Sequence, residues 1–417
     1  MARWTYILRR LLGKLWLRAA LLSLGGVVLA LLGAVLSPAI EQEIGVELGQ
    51  DAVGSILSIM ASSMLAVTTF SLTAMVSAYS SATQLGTPRA TQLMLEDSTS
   101  QNALSTFVGA FVFAIVGIIA LSTEVYGGDG RIILFAGTVL VVLLVVVTLL
   151  RWIGHITAFG RMADVIDRVE TAACRAMRRF ADDPWGGGRA AIAAPADSVP
   201  VTAPELGYVT HVDVAALGRL ARDGRVLHVE VAAGQLVHPA RALVRVVGPI
   251  DEQSTEAIRN AFTIERHRAF DHDPRLGLVA LAEIGGRALS PAVNDPGTAI
   301  EVLNAQLRVL SRLPADRDAP EDDDDRPAVH VHRPTQHEML RDAFHPILRD
   351  GAGQAEVTIR LTKALATLAD LQPHMRTALR DTAIHLCERV DAKQDDPREV
   401  AAFHRVHDRL WARRGNQ

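Results

Sequence analysis

Four long apolar stretches near the start of the sequence constrain this chain more than any other feature. They are predicted to run over residues 15–36, 53–79, 104–123 and 132–152. Each has about the 20 residues that an α-helix needs to cross the hydrocarbon core of a bilayer. The first is not expected to be a cleaved signal peptide, because it lacks a clear small-residue cleavage site and three more stretches follow. The sequence therefore predicts a transmembrane domain over residues 1–152.

The distribution of charge predicts how these helices are threaded through the membrane. The residues before the first stretch are basic and include no acid, whereas the next loop carries acids and no base. Arginines then recur after the fourth stretch, between Arg151 and Arg179. Because cytoplasmic loops carry an excess of lysine and arginine, we expect both the N-terminus and the C-terminus on the cytoplasmic side.

Composition restricts the partners and cofactors that are expected for this chain. Hydrophobic residues make up 49% of the chain and are concentrated before residue 153, so the remainder has the character of a soluble domain. A net charge of −4 gives no indication of a nucleic-acid partner. Cys174 and Cys387 form neither a disulfide framework nor a metal-ligand pair by spacing. We expect no cofactor.

The second stretch differs from the others because it carries a row of hydroxyl side chains. No charged residue occurs between Asp51 and Arg89, so this helix could be roughly 50 Å long. The hydroxyls recur at steps of three and four residues, which places them on one face of a helix. This hydroxyl row consists of Ser55, Ser58, Ser62, Thr69, Thr73, Ser77 and Ser80.

Two interpretations of the hydroxyl row remain open. Small hydroxylated residues let transmembrane helices pack closely and form hydrogen bonds across a bundle. Alternatively, the row lines a watery path within an oligomer, because polar linings in membranes face cavities. The four stretches contain no Asp, Glu, Arg or Lys at their centres, which argues against an ion-coupled transporter more than against a passive pore.

The fold class predicted for the whole chain is mainly α: a four-helix transmembrane domain, followed by a cytoplasmic α+β region. Residues 153–183 are predicted as a helix that continues the fourth span, and 184–204 as a linker rich in glycine, proline and alanine. Residues 205–250 alternate apolar and polar side chains, which predicts a small β module. Residues 251–417 are predicted as a helical domain with an acidic loop at 316–327.

The β module resembles the small β-sandwich of biotinyl- and lipoyl-like domains. The rhythm that carries the resemblance is V-x-V-x-x-G-x-x-V followed by L-x-x-V, within "RVLHVEVAAGQLVHPARALVRVVG". The segment departs from such domains because it contains no lysine to carry a swinging arm, and because a helix over 213–223 is predicted between its strands. A structural role is therefore expected for it.

Histidines near residue 330 are the only candidates for metal ligands. Alternate histidines on a strand can bind a metal, and His330 and His332 have that spacing. Nothing in the sequence fixes a tetrahedral set, because His337 and His345 are explained by a following helix. We predict no metal site and no catalytic residue.

The segment "ALSPAVNDPGTAIEVL" is a helix end followed by a helix start. Pro291 disfavours a helical conformation at Ser290. Asn294 or Asp295 can supply the N-cap oxygen for the next helix, with Pro296 in its first turn and Thr298 adding a hydrogen bond. A structural corner is the favoured interpretation, and a loop that contacts a ligand or a second subunit is the alternative.

This segment also carries a resemblance to a known family. The block "DHDPRLGLVALAEIGGRALSPAVNDPGTA", together with the apolar stretches and "GTPRATQLMLEDSTSQNALSTFVGAF", resembles a bacterial family of predicted membrane proteins of unknown function. The specific part, S-P-x-x-N-D-P-x-T-A, is matched by Ser290, Pro291, Asn294, Asp295, Pro296, Thr298 and Ala299. The chain departs from the family just upstream, where Asp273 is followed by Pro-Arg-Leu-Gly instead of Phe-Gly. The resemblance implies no activity, substrate or cofactor.

These observations favour a protein of the bacterial inner membrane that is not an enzyme. The first hypothesis is a homo-oligomeric channel whose second span lines the path and whose cytoplasmic domain assembles or gates it. The alternative is a membrane-anchored sensor or scaffold whose cytoplasmic domain binds a protein or a small ligand. The expected partners are the lipid bilayer and further copies of the chain.

Overall fold

The computed structural model describes residues 15–36, 50–95, 97–123, 128–222, 224–313 and 326–412. The described chain divides into two compact units. The first, which we call the apolar unit, comprises the described parts of 15–85 and 91–164. The second, which we call the mixed unit, comprises residues 86–90 and the described part of 165–412. The fold is mainly helical with a small region of sheet, as the sequence predicts.

Long helices form the apolar unit. They are α1 (Leu15–Leu36), α2 (Gln50–Leu85), the short α3 (Pro88–Leu95), whose first three residues belong to the mixed unit, α4 (Ser98–Ser122) and α5 (Gly128–Ala158). In the described chain, three stretches are long and apolar enough to cross a membrane: Ala52–Ser80, Pro88–Ser122 and Ile133–Thr157. The first predicted span falls on α1, whose described side chains give a shorter apolar helix, Leu17–Leu29. Several membrane-length helices are therefore confirmed.

The interior of the apolar unit is built around α4, which packs against α1, α2 and α5. Phe107 and Phe113 of α4 are completely buried, together with Leu57 of α2 and Leu134 of α5. A Cβ atom on Gly117 would lie 3.0 Å from a methyl group of Leu57, so the neighbouring helix fits closely at this position. Small residues on α4 thus allow large side chains of its neighbours to reach the helix backbone.

Helices α1 and α4 approach each other at two glycines. A Cβ atom on Gly26 would lie 2.9 Å from the carbonyl oxygen of Gly109, and one on Gly109 would lie 3.1 Å from the carbonyl oxygen of Leu22. The first distance is shorter than real Cβ contacts, and the second is tighter than nine in ten of them. The two backbones are therefore in van der Waals contact at this crossing, which is the geometry that small residues permit between apolar helices.

The predicted helix over 153–183 is not continuous with the fourth span. Helix α5 ends at Ala158, a turn follows, and α6 begins separately (Met162–Asp182). Gly160 in this turn has φ +82°, a conformation that glycine adopts without steric cost. The apolar pattern runs across the turn without interruption, so periodicity alone did not reveal the break.

The mixed unit contains two small sheets. Its strands are β1 (Arg189–Ala190), β2 (Val199–Thr202), β3 (Gly207–Val212), β4 (Val226–Val229), β5 (Leu236–Val237), β6 (Ala242–Val247), β7 (Phe262–Glu265) and β8 (Val329–Val331). One sheet has the order β1-β8-β4-β6-β2, and the other has the order β5-β3-β7. Strand β8 pairs in parallel with both β1 and β4, whereas the remaining pairs are antiparallel.

The strands correct three predicted boundaries. The predicted linker 184–204 contains β1 and β2, because Val201 buries its side chain in the sheet core. The β module is not confined to 205–250, since β7 and β8 come from the region predicted to be helical. The predicted inserted helix is present as α7 (Val214–Leu220). The two-sheet arrangement with parallel pairs does not demonstrate a biotinyl-like sandwich.

The rest of the mixed unit is helical. It consists of α8 (Glu252–Asn260), α9 (Pro274–Ala288), α10 (Pro296–Leu310), α11 (Gln336–Gly351), α12 (Ala355–Leu371), α13 (Arg376–Lys393) and α14 (Pro397–Ala412). The region predicted to be helical is interrupted near its start, where α8 ends at Asn260 and the following strand β7 pairs with β3. Residues 316–325 of the predicted acidic loop lie outside the described residues.

The crossing of α1 and α4 leads to a test with a neighbouring control. We expect Gly26→Ala to lower the free energy of unfolding by about 1–3 kcal/mol relative to Gly25→Ala, because the added methyl group meets backbone and forces the helices apart. A Cβ atom on Gly25 meets nothing within 4 Å, and both changes add the same helix propensity. Thermal unfolding in mild detergent measures the difference, and equal melting temperatures would contradict the close crossing.

Candidate functional site

The hydroxyl row lies on the outer surface of the apolar unit. All seven of its members are exposed in the single chain. The buried face of α2 carries Val53, Leu57 and Met64, which are half a helical turn away from the row. The row therefore faces away from the other described helices of its own chain, and both interpretations of it depend on what lies outside one chain.

Three hydroxyl groups of the row donate hydrogen bonds to their own helix. Ser62 Oγ lies 3.0 Å from the carbonyl oxygen of Ser58. Thr69 Oγ1 lies 3.0 Å from the carbonyl oxygen of Leu65, and Thr73 Oγ1 lies 3.0 Å from that of Thr69. This bonding to the preceding turn satisfies the hydroxyl proton and leaves the oxygen lone pairs directed outward.

Large apolar side chains border the hydroxyl row on both sides. Ile59 and Phe70 are 66% and 67% exposed, and Leu65 and Val76 are also more than half exposed. Such side chains are stable against lipid or against another protein surface, but not against water. The outer face of α2 thus combines a narrow polar row with broad apolar flanks.

The corner between α9 and α10 is held by hydrogen bonds within the motif. Ser290 Oγ donates to the carbonyl oxygen of Arg287 at 2.7 Å, and the N–H of Asn294 donates to the carbonyl oxygen of Ser290 at 2.9 Å. The N–H of Asp295 donates to the carbonyl oxygen of Ala288 at 2.8 Å. Asn294 has φ +48°, a left-handed conformation that asparagine tolerates better than most residues.

Asp295 caps the N-terminus of α10. Its carboxylate accepts hydrogen bonds from the Thr298 N–H at 3.1 Å and from Thr298 Oγ1 at 2.6 Å, and Pro296 occupies the first turn. These two bonds lower the pKa of the Asp295 carboxyl, and the bond from the Thr298 hydroxyl has the larger effect. Asn294 Oδ1 accepts a hydrogen bond from Gln354 Nε2 at 3.0 Å, at the start of α12. The motif side chains are thus engaged in local contacts, and a contact with a ligand stays a prediction.

The same helix that leads into the corner also binds the segment that follows α2. Residues 86–90 belong to the mixed unit, and an Arg287 guanidinium nitrogen donates to the carbonyl oxygen of Gly86 at 2.9 Å. Arg89 forms an ion pair with Glu283, one turn earlier on α9. These partners are separated by about two hundred residues of sequence, so no local pattern could have predicted the contact.

A cleft opens in the mixed unit at the carboxyl ends of the parallel strands β4 and β8. It has a volume of about 140 Å³. Its walls come from the end of α6, the turn after it, the residues that follow β4 and β8, and the segment before α9. Its polar and aromatic lining consists of Arg179, Phe180, Asp183, Trp185, His211, His272, His332 and Arg333.

The lining of the cleft carries more positive than negative charge. The rings of His211 and His272 lie 4.6 Å apart. Burial, with smaller contributions from the nearby His211 and Arg179, lowers the pKa of His272 to about 4, so this imidazole is neutral at pH 7. The Arg333 guanidinium lies 5.3 Å from the centre of the Trp185 ring, within the range of a cation–π contact.

No local pattern in the sequence predicts the cleft, because the residues that line it are dispersed along the chain. Trp185 lies at the start of the segment predicted to be a linker. His272 lies in the "DHDP" block, and the resemblance to the family is the only sequence signal at that block. The alternate histidines near residue 330 do not converge. His330 stacks on His228 with ring centres 5.1 Å apart, whereas His332 lines the cleft. Among the described residues, no three His, Cys, Asp or Glu side chains form a cluster suited to a metal.

Comparison with known proteins shows that the chain is similar to a family of predicted membrane proteins. Residues 13–367 match the family described as "Predicted membrane protein (DUF2254)". An uncharacterized protein of Mycobacterium tuberculosis and one of Mycobacterium bovis are each 35% identical to this chain over 136 residues. That match covers 31% of this chain and 26% of each relative, so the chain covers well under two thirds of their length. No solved structure matches the chain.

The cap of α10 gives a prediction about stability. We expect Asp295→Ala to lower the free energy of unfolding of the mixed unit by about 1 kcal/mol, because the Thr298 N–H loses its acceptor. Asp295→Ser should restore most of the loss, since serine is an equally good N-cap. Urea unfolding in detergent measures the effect, with Glu301→Ala on the exposed side of α10 as the control. Equal losses in the variant and the control would contradict the capping role.

His272 gives a prediction about pH. Its pKa is about 4 in the folded protein and near 6.5 in an unfolded chain, so the unfolded state binds more protons between these values. Its contribution to stability is complete above pH 6.5 and is lost as the pH falls toward 4. Replacing it, as in His272→Gln, should therefore make stability fall less steeply from pH 6.5 to 4.5. Parallel pH profiles for the two proteins would contradict this assignment.

Proposed function

This chain belongs to the family described as "Predicted membrane protein", and we propose that it is a homo-oligomeric channel of the bacterial inner membrane. In this proposal four helices span the membrane, with α1 as the first, and both termini lie in the cytoplasm. The second span, α2, lines the path. The mixed unit assembles the oligomer or gates it. The relatives carry no assigned activity, so the proposal rests on the geometry of this chain.

One observation supports the proposal most strongly: the hydroxyl row is exposed along the whole outer face of α2. From Ser55 to Ser80 the row extends ~37 Å along the helix, which exceeds the ~30 Å hydrocarbon core. In an oligomer, the apolar flanks would contact neighbouring copies while the row faces their common axis. Outward lone pairs of the hydroxyl oxygens could then replace part of the hydration shell of a passing cation.

The segment after α2 supports a gating role for the mixed unit. Helix α2 ends at Leu85, and the next residue, Gly86, is already held by Arg287 of α9. A movement of α9 would therefore act on the end of α2 through a single peptide bond. The ion pair between Arg89 and Glu283 adds a second attachment within the same segment. Such a gate would require α9 to have two alternative packing arrangements.

A second candidate function is a membrane-anchored sensor or scaffold. The observation that favours it is the cleft of the mixed unit, which offers a binding site independent of any path through the membrane. Oligomeric state in mild detergent separates the two candidates. An assembly of three or more copies favours the channel, whereas a stable monomer favours the sensor.

The channel proposal predicts that the hydroxyl row controls flux. Purified protein in liposomes should conduct small ions, and Thr69→Val combined with Thr73→Val should reduce conductance. Each lost hydroxyl contact raises the barrier by about 1 kcal/mol, or about fivefold in rate. The reduction should leave assembly intact, because valine keeps the shape of threonine.

Thr68→Val provides the matched control. Thr68 is adjacent to Thr69, and its hydroxyl donates to the carbonyl oxygen of Met64 at 2.6 Å, but its side chain is partly buried on the packed side of α2. Conductance should be unchanged in this variant. Absence of conductance in the wild-type protein, or an equal loss in the control, would overturn the proposal.

A further inference from the structure

We propose that the cleft of the mixed unit binds a small oxyanion, a carboxylate or a phosphate, through Arg179 and Arg333. This inference does not depend on the channel, because every residue that lines the cleft belongs to the mixed unit. It assigns a ligand class to a region that the sequence predicted to be a linker and structural strands.

The charge of the lining favours an anion over a cation. Two guanidinium groups and three imidazoles line the cleft, against the single carboxylate of Asp183. The ligand set of a metal site is absent from the described residues, since no cluster of three suitable side chains occurs among them. A positively charged concavity with low-dielectric walls concentrates anions.

The lowered pKa of His272 reflects the same positive environment. Apart from burial, the largest influences on its pKa are His211 and Arg179, which both lower it, and they outweigh the opposing effect of Asp271. A neutral imidazole beside two guanidinium groups can donate an N–H to an oxyanion without charge repulsion among the protein groups. A bound anion would offset this positive potential.

The position and size of the cleft restrict the ligand. It lies at the carboxyl ends of adjacent parallel strands, where open α/β sheets bind their ligands. Its volume of about 140 Å³ is below the roughly 300–1,000 Å³ of pockets that enclose drug-sized molecules. Trp185 is only 6% exposed, and its ring centre lies 5.3 Å from the Arg333 guanidinium, which holds that group at one wall.

Guanidinium groups suit this class of ligand for a geometric reason. Their planar donors match the two oxygens of a carboxylate or a phosphate, and the resulting charge-assisted hydrogen bonds are about twice as strong as neutral ones. Arg179 already donates to the backbone carbonyl oxygen of Asp271 at 3.0 Å, which fixes the orientation of its side chain at the rim. An anion would therefore meet arginines that are oriented in advance.

Calorimetric titration of the full chain in detergent tests the proposal. Sodium phosphate and sodium pyruvate are titrated separately at constant ionic strength, with sodium chloride as the probe for unspecific charge effects. We expect saturable binding of at least one oxyanion and none of chloride. Absence of a saturable signal for both oxyanions would overturn the proposal.

Variants locate the binding site. Arg333→Gln and Arg179→Gln should each weaken the binding of the same anion by tenfold or more, while Arg341→Gln, an exposed arginine of α11, should leave it unchanged. Arg179 does not stack on Trp185, so its variant remains informative if loss of Arg333 disturbs the fold. An equal effect of Arg341→Gln, or no effect of Arg179→Gln in folded protein, would overturn the assignment.

Discussion

The need to satisfy every backbone hydrogen bond away from water governs the N-terminal part of this protein. An apolar chain inside a bilayer has no solvent to accept its N–H groups, so a single spanning segment must be helical. Helix α2 meets this requirement over 36 residues and then uses the same carbonyl groups a second time. The hydroxyls of Ser62, Thr69 and Thr73 donate to them, which lets a polar row exist on an otherwise apolar surface. Helix α2 therefore has one apolar face that packs inside the apolar unit and an outer face that carries the hydroxyl row.

The family motif acquires a physical meaning from its position at the end of α9. Asp295 and Pro296 start α10, while Arg287, near the end of α9, reaches the carbonyl oxygen of Gly86. The corner thus fixes the end of a helix that also holds the segment leaving α2. An asparagine at φ +48° fits the same requirement, because the chain must reverse direction within a few residues. The corner therefore stabilises both the start of α10 and, through α9, the segment that follows α2.

Sequence periodicity predicted what is long and regular, and missed what is short or assembled from distant segments. The apolar helices, the long α2 and the cap at Asp295 each carry a local signal that a window of a few residues contains. Strand β1 has two residues and β8 has three, which is too short for an alternating pattern to be distinguished from a loop. The cleft joins Trp185, His272 and Arg333, which have no common motif, and only the pairing of β8 with β4 brings their segments together.

Strand β8 also determines the order in which this protein can be completed during synthesis. It lies between β1 and β4, yet it is encoded almost one hundred residues after β4, beyond α9 and α10. Until residues 329–331 leave the ribosome, β4 has an unpaired edge and β1 has no neighbour in the sheet. Exposed strand edges are templates for wrong pairing, and such late, non-local pairing slows folding. The apolar helices emerge long before that moment, so membrane insertion can be finished while the mixed unit is still an incomplete sheet.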